Sequence, residues 1–176
     1  MTGVKGQQDC GSCYAFAGVA VHETALLKAG ADLSNMDLSE QFIIDCGLSL
    51  KMNYGCGGGL PHKASATMVK LGGYSPSESE WPYIKTRVQC PPKQLINGTC
   101  HWKAPYEAAC EEVMSNSNTW HSPGVQMIDY GYCYGKSCSP ELLKHVIWTY
   151  GSAAVTVWAN GKWGNYDRGV LEGYAW

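Results

Sequence analysis

An α + β domain, with helices first and strands later, is what this chain predicts. Three features carry the expectation. A long apolar stretch near the start reads as a buried helix, and two shorter helical stretches follow, each closed by glycine. Near the end, the apolar run Ala153 to Trp158 reads as a buried strand behind a well-signalled helix.

The first helix spans Cys13 to Ala29. Phe16, Ala17, Ala20, Leu27 and their neighbours are small or apolar almost all round, and Gly30 stops it. A second begins near Asp37 or Ser39, carries Phe42, Ile43 and Ile44, and ends by Gly47. A third runs from Pro61 to Leu71, before Gly72-Gly73. From Trp81 to about Pro123 the chain is rich in turn formers, with Cys90, Cys100 and Cys110 among them and a helix expected around Tyr106 to Met114. Alternation at Val125, Met127 and Asp129 predicts a strand. Ser139-Pro140-Glu141 then offers a cap, a first-turn proline and an early acid, so a helix is expected to continue through Leu142 to Tyr150. There is no internal repeat and no linker, so residues 1–176 read as a single domain.

Composition narrows the function. Apolar residues make up 45%, enough for a sizeable core. Lys and Arg number 13 against 15 Asp and Glu, a net charge of −2. That lacks the cation excess which a nucleic-acid surface or an anionic membrane requires. No apolar run reaches the roughly 18 residues of a bilayer-spanning helix. Nine cysteines point to an oxidising compartment, and the odd number leaves one thiol unpaired if the others bridge. No apolar stretch precedes Cys10, so a mature or trimmed form is expected. Asn97-Gly98-Thr99 is a candidate glycan acceptor.

The chemistry concentrates in Gln7-Gln8-Asp9-Cys10-Gly11-Ser12-Cys13-Tyr14-Ala15-Phe16. A cysteine opening a buried helix sits beside unpaired backbone N–H groups and the positive end of the helix dipole. Both stabilise negative charge on the sulfur, and the thiolate is the nucleophile. Gly11 and Ser12 leave room for another backbone to approach. The Gln7 amide and the Cys13 backbone N–H could together hold an oxyanion at a carbonyl attacked by the sulfur. Blander readings exist. Cys10 and Cys13 could form a redox pair or half a zinc site, but nothing upstream can build the required strand, and Cys133 and Cys138 are too far apart for a second close zinc pair. Gly57-Gly58-Gly59 alone would be a turn, and Tyr14 and Phe16 fit a core.

The run Cys10-Gly11-Ser12-Cys13-Tyr14 resembles the papain family of cysteine peptidases. So do Leu38-Ser39-Glu40-Gln41 with Asp45-Cys46, Tyr54-Gly55-Cys56-Gly57-Gly58-Gly59, Trp81-Pro82-Tyr83, Ala153 to Val157, and Tyr166 through Leu171. The likeness covers most of Val4 to Gly173, interrupted by a divergent, cysteine-containing stretch at about 91–124. It implies a papain-like two-lobed α + β fold, with a helical left lobe and part of a β-rich right lobe. It also implies that Cys13 is the nucleophile and Gln7 an oxyanion donor. Gly58 and Gly59 would pair with substrate backbone, and Leu60 and Pro61 would wall the pocket for the side chain next to the scissile one. The implied disulfides are Cys10–Cys56 and one from Cys46. Spacing from Trp81-Pro82-Tyr83 favours Cys90 as the partner of Cys46, although the sequence before Cys100 also fits. Cys100–Cys110 and Cys133–Cys138 are then local pairings, with Cys13 left free. No metal or cofactor is implied, the substrate is a peptide or protein, and the compartment is lysosomal, vacuolar or extracellular.

The family's reaction also needs a histidine, oriented by an asparagine. The family places it just after the kind of segment on which this chain ends. His145 precedes the Ala153–Trp158 run instead, and His22, His62, His101 and His121 lack the family context. The usual Pro-x-x-x-Asp-Trp-Arg segment before Val4 is also missing. Three expectations follow: an enzyme cut at both ends, a heavy chain whose partner chain carries the histidine, or an inactive homologue that binds or scaffolds. Tyr14 and the sequence near Tyr130 to Leu143 resemble cathepsin C, which is cleaved in the second way.

Overall fold

The computed structural model describes residues 5–32, 36–84, 95–96, 99–100, 110 and 126–157. These form α1 (Cys13–Lys28), α2 (Glu40–Ser49), α3 (Pro61–Lys70) and α4 (Pro140–Tyr150), with single 3-10 turns at Gly55–Gly57 and Gly135–Ser137. A small antiparallel hairpin joins β1 (Leu95–Ile96) to β2 (Thr99–Cys100), pairing Leu95 with Cys100. No helix among the described residues is long and apolar enough to cross a membrane.

The core lies where α1 packs on α2 and α3. Tyr14, Val19 and Leu26 meet Phe42, Ile43, Ala64 and Met68 there, with Leu38 and Trp81 closing the edge. Each large apolar side chain so buried contributes roughly 1.5–3 kcal/mol. Helix α2 is buried from Glu40 to Gly47, so its polar groups need internal partners. Ser39 caps it by accepting from the Phe42 N–H at 3.0 Å and donates its own hydroxyl to the Trp81 carbonyl at 2.5 Å. Asp45 accepts from the Trp81 indole N–H at 3.1 Å and the Gln41 amide at 2.8 Å. The Trp81 ring meets Phe42 edge-on at 5.3 Å. At the entry to α2, Lys5 donates to Glu40 at 2.8 Å and pairs with Asp37 at 2.6 Å. Burial nonetheless pushes the Glu40 carboxyl up to about 7, against the opposing effect of Lys5.

Two of the expected disulfides form, Cys10–Cys56 and Cys133–Cys138. Cys46 pairs with Cys110, not with Cys90, across a Cα–Cα distance of 5.4 Å. This also overturns Cys100–Cys110. The reason is tertiary: Cys110 is fully buried in the core beside Cys46, and separation along the chain from Trp81-Pro82-Tyr83 does not report where the chain returns. Cys90, Asn97 and most of 91–124 lie outside the described residues; of the helix expected around Tyr106 to Met114, Cys110 is described and is helical.

The two predicted strands do not form among the described residues. Residues 126–130 and 153–157 have no strand pairing, and Val155 stays 66% exposed. An apolar run becomes a strand only beside a partner edge, and none adjoins these segments among the described residues, which leave out Val125 and Trp158. Tyr166 through Leu171 lie outside the described residues. The local signals for α4 hold: Ser139 accepts from the Leu142 N–H at 3.1 Å, Pro140 occupies the first turn and Glu141 follows.

Candidate active site

The nucleophile candidate sits where local chemistry would place it. Ser12 is the cap residue of α1, its carbonyl accepting from Ala15 at 2.8 Å and Phe16 at 3.3 Å, so Cys13 is the first helical residue. Cys13 is exposed and is the free cysteine among the described residues. Its sulfur is therefore reachable and lies within the helix's first turn, where orphan N–H groups and the dipole stabilise an anion.

The residues before it are tightly held. Cys10 is bridged to Cys56, and the Gly11 N–H donates to the Cys56 carbonyl at 3.0 Å. A Cβ on Gly11 would sit 2.7 Å from that oxygen, so only glycine allows the approach. Gln7 donates one amide hydrogen to the Cys10 carbonyl at 3.0 Å, leaving the second available. Between them Gln8 has φ of 51°, a left-handed conformation that costs a side-chain-bearing residue about 1 kcal/mol.

Tyr14, the residue after Cys13, points into the core and ties the helix to the glycine stretch. Its hydroxyl donates to the Gly55 carbonyl at 3.2 Å, and burial raises its pKa, so the donor proton is retained. A Cβ on Gly59 would come within 2.8 Å of the Tyr14 ring, which explains a glycine there. The two predicted backbone-pairing residues differ. The Gly58 N–H is given to Gly55 at 3.3 Å and its carbonyl accepts from Tyr54 at 2.9 Å. Gly59 makes no backbone hydrogen bond among the described residues, which leaves it the freer edge for an extended peptide. Leu60, 49% exposed, caps α3 and Pro61 begins it, so both predicted wall residues stand at one helix start. His62 follows and stacks on Tyr132 at 4.5 Å.

No described histidine hydrogen-bonds to Cys13. His22 is buried in α1 with both ring nitrogens unpartnered, and burial alone lowers its pKa to about 4. His145 is exposed on α4, while His101 and His121 lie outside the described residues. The residue that sequence reasoning passed over is Tyr83. Its hydroxyl donates to the Gln7 carbonyl at 2.7 Å and lies 2.8 Å from the Ser12 hydroxyl. The Trp81-Pro82-Tyr83 segment was visible, but nothing local signals where its last hydroxyl lands.

A family model described as papain family cysteine protease matches residues 1–175. The cysteine protease Amb a 11.0101 of Ambrosia artemisiifolia is 40% identical over 91 residues, 51% of this chain and 22% of that protein. Cysteine proteinase 2 of Zea mays is 38% identical over 101 residues, 57% of this chain and 24% of that protein. The match thus spans under a quarter of these relatives' length. The solved structure of a recombinant stem bromelain precursor shares 32% identity over 56% of this chain and 30% of its own, with a TM-score of 0.42.

Proposed function

Because this chain belongs to the papain family of cysteine proteases, we propose that it carries the nucleophile half of a peptide-hydrolysing site. The observation that carries this reading is Cys13, unbridged, exposed and first in α1, while Cys10 three residues earlier is locked to Cys56. The Cys13 thiolate attacks a peptide carbonyl, and the second Gln7 amide hydrogen with the Cys13 N–H holds the oxyanion. Gly59, with Gly58 beside it, pairs with the substrate backbone, and Leu60 and Pro61 receive the neighbouring side chain. An acyl-enzyme forms and water releases it. The cycle uses no metal or organic cofactor.

The proton shuttle is proposed to come from a histidine in sequence outside these 176 residues or on a second chain. Support lies in the five histidines of this chain, none of which stands in the family's context, and in the lack of any described one bonded to Cys13. The domain is accordingly read as one incomplete unit, with 91–124 a divergent insertion. A lysosomal, vacuolar or extracellular site and a glycan on Asn97 fit the disulfide content. A second reading, a papain-like module that binds peptides without cleaving them, draws on the same unpartnered Cys13.

Two measurements test the proposal. The isolated chain should show negligible turnover of a fluorogenic dipeptide amide; rates near those of complete papain-family enzymes would overturn the split-site reading. Together with the part that carries the histidine, Cys13 should be alkylated rapidly and selectively by an epoxysuccinyl peptide near pH 5, whereas a pure binding module would label no faster than an ordinary surface thiol.

A further inference from the structure

We propose that Tyr83 is a positioning residue for the oxyanion donors, its hydroxyl holding Gln7 and Ser12 in register on either side of the Cys10–Cys56 bridge. The inference rests on the peptidase reading and adds to it a residue far away in sequence. A tyrosine has one hydroxyl hydrogen, and Tyr83 gives it to the Gln7 carbonyl at 2.7 Å. The Ser12 hydroxyl, 2.8 Å away, must then be the donor to Tyr83. Burial raises the Tyr83 pKa, which favours this protonated state.

The two partners are the ends of one loop. Gln7 supplies the side-chain oxyanion donor, and Ser12 immediately precedes the residue supplying the backbone donor. Fixing the Gln7 carbonyl fixes the peptide plane between Gln7 and Gln8, and so the left-handed turn at Gln8 that would otherwise relax. Inside that turn, the Gln7 amide is aimed by its bond to the Cys10 carbonyl. Tyr83 is itself well anchored. Its N–H donates to Glu78 at 2.8 Å, and its ring meets Phe16 of α1 edge-on at 5.2 Å. An oxyanion donor displaced by a fraction of an ångström loses most of its value, so an anchored hydroxyl at this loop acts on transition-state binding through Gln7.

The test is made on the full chain with an acetyl-dipeptide aldehyde. The Cys13 sulfur adds to the aldehyde carbon, the carbonyl π pair moves to oxygen, and that oxygen takes up the thiol proton, so affinity reads the oxyanion donors. Tyr83→Phe should weaken the aldehyde Kd about tenfold while iodoacetamide alkylation of Cys13, which forms no oxyanion, stays within about twofold. Gln7→Ala should weaken the aldehyde by itself, and adding Tyr83→Phe to it should cost only about threefold more, because the Gln7 share of the Tyr83 effect is already lost and the Ser12 share remains. An unchanged Kd in Tyr83→Phe, or an equal loss in the Gln7→Ala background, overturns the proposal. An unchanged Kd in Gln7→Ala overturns it as well. Failure of the unsubstituted chain to bind the aldehyde overturns the peptidase reading beneath it. Should Tyr83→Phe not fold, Ser12→Ala takes its place, with about a threefold loss expected and no loss overturning the proposal.

Discussion

The α1–α3 unit and the stretch 126–157 both contain strongly signalled helices, yet only one of them has an interior. Helix α1 lacks a side-chain cap, and its first turn carries no acid. It forms because Tyr14, Val19 and Leu26 are buried against α2 and α3. Helix α4 has the cap, the proline and the acid, and none of its residues is buried. Leu142, Ile147 and Trp148 are 41%, 49% and 83% exposed. Its described anchor to the rest of the molecule is Lys28, whose ammonium donates to the Trp148 carbonyl. Local signals start a helix; packing gives it stability.

The comparison breaks most visibly with paired truncations. Phe42→Ala, at a side chain 1% exposed and edge-on to Trp81, should cost about 3–5 kcal/mol in urea unfolding. Trp148→Ala should stay within about 0.5 kcal/mol. Equal losses would mean that α4 is part of the same core.

A pH series sharpens the picture of the buried unit. His22 takes up a proton near 6.5 when unfolded but only near about 4 when folded. Between those values the unfolded chain binds more protons, so stability falls as pH falls through that window. Glu40, raised from 4.5 to about 7, has the opposite sign: the folded state binds more protons there, and stability falls as pH rises. The two slopes offset in the unsubstituted protein. His22→Leu should therefore gain about 2 kcal/mol at pH 5 relative to pH 7, read as the change in urea midpoint between the two pH values. Glu40→Gln should tilt the same plot the other way. Parallel pH profiles for all three proteins would contradict the assignment.

The most local effect belongs to α4. Ser139→Ala should cost that helix about 1 kcal/mol, seen as faster amide exchange in Leu142 and Leu143 without a shift in global melting.

What could be read from the residues divides along the same line. The starts of α3 and α4 were legible because Pro61 and Ser139-Pro140-Glu141 are local instructions, whereas α1 was legible from its apolar run, closed by Gly30. The described parts of the expected strands, 126–129 and 153–157, carry no strand pairing, since a strand depends on a neighbour that the sequence window does not contain. The partner of Cys46 escaped for a similar reason: Cys110 reaches it by the path of the intervening chain. Within the site, Cys13 opens α1 and Leu60 and Pro61 open α3, positions that could be read from the chain alone. The unequal freedom of Gly58 and Gly59, and the role of Tyr83, depend on tertiary hydrogen bonds that no spacing encodes.

The bridge at Cys10 has a practical corollary. An exposed thiol such as Cys13 must be guarded from air by a reducing agent, yet three positions upstream a sulfur–sulfur link clamps the loop that aims it. Added thiols would thus rescue the one and threaten the other. Cys10, 3% exposed, is shielded where Cys13 is open. That difference in access leaves a window of thiol concentration in which the Cys13 thiol is regenerated before its scaffold is undone.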